Sequence, residues 1–299
     1  MNNKLLSLLL ICICCAMFVH GNENYNRMVD IGMNSLRNGD YYSAYKKFDN
    51  ASVFASTQQE KENREELLRL VLDSVSVIYH RGASIYKSAK SKQDYYRALS
   101  EFRKILPIDL WNNYNVYSFI GHCYENLCEP YAAIDNYAKG VTYRDSFCAS
   151  RLAKLLPKYS AVPSDSIMHL YEIAATDDKS AYDSIGNMLY QSSPQEAYAN
   201  YKKSGTNYGL YKISALILEN KVISGEDPIR ILEQLAQNDD NVAHEAQYYL
   251  GLLYFHGDAY GRIKKNQEYG LQLIRKASNA GNKDAAKWLK ARNREIKRR

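Results

Sequence analysis

Past Gly21, the residues whose types could do chemistry are five histidines, two pairs of adjacent aspartates and three cysteines. They are His80, His122, His169, His244 and His256, then Asp177-Asp178 and Asp239-Asp240, then Cys123, Cys128 and Cys148. A histidine held against a carboxylate could act as a general base, paired carboxylates could divide acid and base roles, and clustered His and Cys could hold a metal ion. The spacing supports none of these. The histidines are scattered along the chain without close carboxylate or cysteine companions, so each reads as a surface or groove residue. Both aspartate pairs fall between helical runs and read as solvated loop caps. Three cysteines cannot close a complete disulfide framework. They read as small buried apolar residues, with one bridge plus a free thiol as the alternative. There is no phosphate-cradling glycine loop, no Gly-x-Ser-x-Gly elbow and no His-Glu-x-x-His helix. The expectation is a chain with no catalytic, cofactor-binding or metal site.

The first 21 residues read as an export signal. Lys4 is followed by an apolar run from Leu5 to Val19, and Val19-His20-Gly21 puts small residues three and one places before a cut after Gly21. The run is shorter than the ~18–20 residues a membrane span needs. A lipoprotein is the alternative, since Cys12, Cys14 and Cys15 lie in the window, but none follows the small residue that lipid-modifying processing prefers. The expected location is periplasmic or extracellular.

Charge is unevenly placed. The chain has 39 Lys+Arg against 33 Asp+Glu, yet seven of the bases lie from Lys287 onward beside one acid, Glu295. Between Asn22 and Ala286 the balance is −1. A near-neutral body carries no electrostatic footprint for nucleic acid, and export argues the same way. The tail reads first as a solvating cap whose cations complement a helix C-terminus. A weak contact with an anionic envelope surface is the alternative.

The elements that would carry these residues are paired helices. Ile31-Gly32, Gly39-Asp40-Tyr41, Ala44, Phe48 and Ala51 form one unit, in which Gly39 breaks a first helix and Asp40 caps a second. Asp94-Tyr95, Ala98, Phe102 and Ile105 repeat the second-helix pattern, and Ile120-Gly121, Tyr124, Ala133 and Tyr137 repeat the whole unit. Ala98 and Ala133 stand 35 residues apart. An insertion between the first two units predicts one long helix from about Glu60 to Lys90, opening on a charged run. From Cys148 to Asp178 the pattern degrades, with Pro157, Pro163 and a helix start at Ser164-Asp165. A short unit follows on Ala181, Gly186, Ala197 and Tyr201, then one on Gly209, Ser214 and Leu232. The clearest unit spans Glu245 to Ala285, where Gly251 and Ala277 are expected to mark facing helix walls. Ala285, Trp288 and Leu289 begin a last half unit that packs on it.

These intervals resemble the tetratricopeptide repeat in the first half and its longer-looped relative, the Sel1-like repeat, in the second. The resemblance implies an all-α, right-handed α-solenoid of about six to seven helix pairs. Its segments are a signal peptide over 1–21, tetratricopeptide-like repeats over 22–150, a degenerate helical connection over 151–178 and Sel1-like repeats with a basic tail over 179–299. It also implies a non-enzymatic adaptor or scaffold that binds a protein or peptide. The groove positions given by the repeat pattern are Val29, Met33, Leu36, His80, Ala83, Lys87, Lys90, Asn115, Ser118, His122 and Glu125. They lack the Lys and Asn spacing with which some tetratricopeptide domains clamp a C-terminal carboxylate. Two rival functions follow from the same resemblance. One is a β-lactam-interacting hydrolase, which would carry a cysteine pair in each repeat, as this chain does not. The other is a structural spacer in an envelope complex. The 27 tyrosines read mainly as repeat core, for example Tyr41, Tyr124 and Tyr254, with a tyrosine-lined binding surface as the alternative.

Overall fold

The computed structural model describes residues 22–109, 115–258 and 260–298, and every regular element among them is helical. The leader at 1–21 lies outside the described residues. The chain forms two compact units, one ending at Ser160 and one beginning at Ala161.

In the first unit, α1 (Glu23–Arg37) packs on α2 (Tyr41–Asn50), α3 (Gln58–Ser88) on α4 (Lys92–Asp109), and α5 (Val116–Asn126) on α6 (Pro130–Thr142). A single first helix, α7 (Ser146–Leu155), closes against α6 and α5. First helices also stack on first helices, α3 on α5 and α5 on α7. One continuous core runs through the unit from Met33 through Phe48, Val71, Phe102 and Ile120 to Leu127. No pair could bury its own apolar face, so each covers its neighbour's. The insertion lengthens α3 to 31 residues, as the charged run predicts.

In the second unit, α8 (Ser164–Ala174) packs on α9 (Ala181–Leu189), and α9 on α10 (Pro194–Ser204). The next pairs are α11 (Asn207–Leu218) with α12 (Pro228–Leu235), and α13 (Asn241–His256) with α14 (Gln267–Asn279). The chain ends on α15 (Lys283–Arg298), whose Trp288 and Leu289 pack on Ile274 and Ala277.

Glycine sets the approach within the pairs. A Cβ built on Gly121 would stand 2.5 Å from the Tyr137 ring, and one on Gly186 would stand 2.6 Å from the Tyr201 ring. Gly32 faces Phe48 and Gly82 faces Phe102 in the same way. The expectation that Gly251 opposes Ala277 is corrected. Gly251 faces Ile274 and the carbonyl of Gly270, while a Cβ on Gly270 would in turn meet the Gly251 carbonyl at 2.6 Å. Two glycines therefore bring α13 and α14 backbone to backbone.

The capping residues behave as read. Asp40 accepts from the Ser43 amide, Asp240 from Ala243, and Asp178 from Ser180. Cys123 and Cys148 are buried and free, but Cys128 is exposed and sits at φ 63°. It occupies the left-handed position ending α5, its amide bonded to the Glu125 carbonyl and the next amide to Tyr124. Gly39 holds the same place after α1. Cys128 is thus a turn residue and not a core one.

The start of the first pair is tied down by Glu60. Glu60 opens the charged run, yet it is fully buried and Asn63 nearly so. Thr57 and Glu60 cap one another, with the Glu60 amide donating to Thr57 Oγ1 at 3.1 Å and the Thr57 amide to Glu60 Oε2 at 2.9 Å. Oε2 also takes the Ser56 amide at 2.7 Å and hydroxyl at 3.0 Å, while Oε1 takes the Asn22 amide at 3.0 Å. Donation by Thr57, with help from Ser56 and Asn22, outweighs burial and pulls the carboxyl down to about 2. A depressed carboxyl contributes stability that is present above its unfolded value of ~4.3 and is lost as pH falls through the folded value. The stability gap between the native chain and a Glu60→Gln variant is therefore expected to shrink between about pH 4 and pH 2. Urea midpoints at stepped pH measure it, and a gap that stays constant across that window refutes the assignment.

Candidate functional site

Three first helices of the first unit, α3, α5 and α7, carry a row of touching rings, of which Tyr79, Tyr86 and Phe119 pack against the core of the unit. Tyr79 and Phe119 meet edge-on at 5.7 Å, Phe119 and Tyr86 at 5.4 Å, and Tyr86 stacks on His122 at 5.9 Å. His122 then meets Phe147 edge-on at 5.0 Å. The helical interval of seven between Tyr79 and Tyr86 sets both on one face of α3, and the stacking of α5 and α7 extends the row sideways. Four of these rings are half-buried, and Phe147 keeps 43% of its surface exposed.

The ribbon is edged by a tied ionic network. Arg151 on α7 grips Glu125 on α5 in a two-pronged pair, with Nε to Oε2 at 3.0 Å and Nη2 to Oε1 at 2.7 Å. The fully buried Tyr137 donates its hydroxyl to Glu125 Oε2 at 2.5 Å. Tyr86 Oη lies 2.7 Å from His122 Nδ1, and His122 Nε2 faces Glu125 at 3.9 Å. Burial, followed by the Arg151 charge and opposed by Glu125, holds the His122 pKa below its ordinary value. The neutral ring can accept the Tyr86 proton at Nδ1 when its own proton is on Nε2. Both Glu125 oxygens are engaged, and the neighbouring Cys123 thiol is pushed up by burial to about 12. The cluster is built to fix side chains in place; it presents no free base beside a nucleophile.

The positions expected to line the groove divide by burial. His122, Glu125 and Ser118 share α5, and His122 and Glu125 join the network. Ser118 is buried, with its hydroxyl on the Asn115 carbonyl at 2.6 Å. Asn115 is exposed at φ 47°, ahead of α5. His80, Lys87 and Lys90 are exposed. Met33 and Leu36, each 6% exposed, are core residues and not groove wall, as is Ala83, and Val29 packs against the same core. Their apolar character answers to the second pair stacked over them. The expectation that the histidines lack carboxylate partners is also corrected. His122 faces Glu125, His169 lies 3.3 Å from Glu172, and His244 lies 3.3 Å from Asp239. The sequence reading does not reach Tyr79, Tyr86, Phe119, Phe147 or Arg151. The interval from Glu125 to Arg151 becomes a contact only when α7 stacks on α5, so no local pattern announces it.

The second unit has its own aromatic face. Lys212 on α11 lies over three tyrosine rings, Tyr190 at 5.2 Å, Tyr208 at 5.4 Å and Tyr211 at 5.9 Å. Lys221 covers Tyr190 at 4.5 Å and pairs with Glu219 at 2.8 Å, and Glu219 accepts from the Tyr190 hydroxyl. Tyr211 and Tyr249 meet edge-on. Burial, then Glu219, raises the Tyr249 phenol to about 12. Its lysines are already matched to rings and carboxylates within the unit.

Among the described residues, no group of three His, Cys, Asp or Glu is placed to hold a metal ion, and no helix is long and apolar enough to cross a membrane. No family model matches the chain, and no curated protein does. Solved structures do. A protective antigen of uropathogenic Escherichia coli with an SLR fold aligns at TM-score 0.58 and 16% identity, over 90% of this chain and 63% of that one. This chain therefore spans somewhat under two thirds of that protein's length. A Sel1 repeat protein from Oxalobacter formigenes aligns at TM-score 0.45 and 20% identity, over 65% of this chain and 86% of its own. Yeast Tom70 aligns at 0.45 and 12%, over 94% of this chain and 66% of its own. At these identities the likeness is one of fold, and the first alignment places the chain among helical-repeat structures of the SLR kind.

Proposed function

We propose that this helical-repeat protein is an exported, non-enzymatic adaptor that holds a protein or peptide partner on the exposed face of α3, α5 and α7. The observation that carries the reading is the ring ribbon from Tyr79 to Phe147. Its side chains are fixed by one another and by the Arg151–Glu125 pair, so a partner would spend little ordering them. Large rings with polar edges, held rigid, are what dominates protein contact sites. His80, Lys87 and Lys90 add exposed polar groups on α3, which favours a partner with mixed apolar and polar contacts over a purely apolar one.

The test is a photo-crosslinking side chain placed at Phe147 in the full chain, expressed in its native cell envelope. One or a few discrete protein adducts are expected by mass spectrometry, and a Tyr86→Ala background should weaken them at least tenfold. Capture that ignores Tyr86→Ala, or no capture at Phe147 while a control position in the second unit is captured, refutes the site.

Export has its own check. The apolar run ending in Val19-His20-Gly21 predicts that the exported protein begins at Asn22. Intact-mass measurement should show that chain. A retained Met1, or a diacylglycerol mass on Cys12, Cys14 or Cys15, rules it out. The SLR-fold relative is a protective antigen, which suits a protein outside the cytoplasm.

The basic tail supports capping better than surface contact. The Arg292 guanidinium lies 4.3 Å from the Phe255 ring centre and 5.7 Å from that of Trp288, so it is used within the second unit.

A further inference from the structure

Glu60 is a buried carboxylate whose donors, three amides and a hydroxyl, are all neutral. No ion pair with it is present among the described residues. The titratable groups nearest it are committed elsewhere. Arg64, one turn along α3, bonds the Phe48 carbonyl and pairs with Asp49 at 2.7 Å. Tyr25 on α1 donates to the Glu60 carbonyl, and burial raises its phenol above the ordinary value. The neutral donors hold the charge without a counter-charge, and a cation placed beside a buried carboxylate would add direct attraction to what they supply. One of the donors is special. It is the amide of Asn22, the residue that follows the expected cut.

We propose that cleavage between Gly21 and Asn22 creates the missing counter-ion, so that the new α-ammonium of Asn22 pairs with Glu60 and locks the first helix pair. The proposal rests on the export reading. Hydrolysis adds water across the Gly21–Asn22 amide. The carbonyl carbon of Gly21 takes the oxygen and becomes a carboxylate, and the Asn22 nitrogen takes protons and carries a positive charge below its ordinary pKa of ~8. The nitrogen already lies 3.0 Å from Glu60 Oε1, so the pair needs no rearrangement. An ammonium-to-carboxylate bond replaces an amide-to-carboxylate one, so attraction between opposite charges is added to a bond that the carboxylate charge already assists. The site also suits a group with three protons. Asn22 is exposed on its outer side, so the protons not directed at Glu60 can remain in water. Its side chain is held at both ends, with Oδ1 accepting from the Asn24 amide at 3.0 Å and Nδ2 donating to the Phe54 carbonyl at 3.2 Å. The nitrogen is therefore positioned before the charge arrives. An uncut chain would keep the fold but lack the ion pair.

The sign with pH is opposite to that of Glu60 itself. An amine whose pKa is raised by its partner contributes stability that is present below its unfolded value of ~8 and is lost as pH rises through the folded value.

Four chains test this: residues 22–299 beginning at Asn22, the same chain with two glycines ahead of Asn22, and each of these with Glu60→Gln. The described fold is built from residue 22 onward, so all four contain it. At pH 7 the chain beginning at Asn22 should melt about 2–4 °C above the glycine-extended one. The difference should fade as pH is raised to 10, and it should vanish in the Glu60→Gln pair. Equal melting at pH 7, a difference unchanged at pH 10, or one that survives Glu60→Gln overturns the ion pair. The export premise is separated by the intact mass of the exported protein. A start other than Asn22 removes the premise whatever the four chains show, while a start at Asn22 with no melting difference leaves export standing and sinks the lock.

Discussion

Replacing Gly251 by Leu is expected to destabilise the second unit by about 3 kcal/mol, the upper end for overpacking. A Cβ at that position meets Ile274 Cγ1 at 2.6 Å and the Gly270 carbonyl at 2.9 Å. Ile274 is fully buried and the carbonyl is backbone, so neither can swing aside. Helices α13 and α14 must separate along their whole contact. Because repeats couple mainly to neighbours, the loosening should concentrate between residues 209 and 298. Hydrogen exchange resolved by segment measures it. Uniform loss of protection through both units, or none, would show that the glycine is not the contact described.

Removing the Tyr137 side chain should cost the first unit as much or more. Tyr137→Ala deletes a fully buried ring that covers Gly121, and such deletions cost ~3–5 kcal/mol. Tyr137→Phe keeps the ring and loses only the hydroxyl on Glu125, so about 1–2 kcal/mol is expected while Arg151 still holds the carboxylate. The two variants separate packing from the network, and urea midpoints followed by circular dichroism read both. If Tyr137→Phe equals Tyr137→Ala, the hydroxyl rather than the ring carries the contact, and the Gly121 argument fails.

The helix pairs were legible because their determinants are local. Gly32, Ala44 and Phe48 lie within one unit, and so do Gly39, which ends α1, and Asp40, which caps α2. The Gly82–Phe102 contact obeys the same rule but escaped notice. Its glycine stands one helical turn further from the following alanine, Ala98, than Gly32 stands from Ala44. The ring ribbon was only half visible. His122 and Glu125 follow from the repeat register, whereas Tyr86, Phe147 and Arg151 depend on which first helices stack. The burial of Glu60 is hidden in the sequence for another reason. A glutamate in a charged run normally faces water, and the local sign of burial was the Thr57-x-x-Glu60 spacing, which marks reciprocal capping. Met33 and Leu36 show the converse: a groove position and a core position share one helical face until the next pair covers it.

A linear array of repeats ordinarily frays from its ends, because a terminal unit has one neighbour where an internal unit has two. The contact between Asn22 and Glu60 changes that arithmetic at the beginning of the array. It fastens the N-cap of α1 directly to the first turn of α3, 38 positions further along the chain. To peel away, the leading pair must give up that clasp as well as its packed face. Its opening free energy should then approach that of the pair behind it, in place of the near-zero value of a loose end. On a chain cut after Gly21, as proposed above, an aminopeptidase, which needs a few slack residues to begin, would find none at that end until the first two pairs open together.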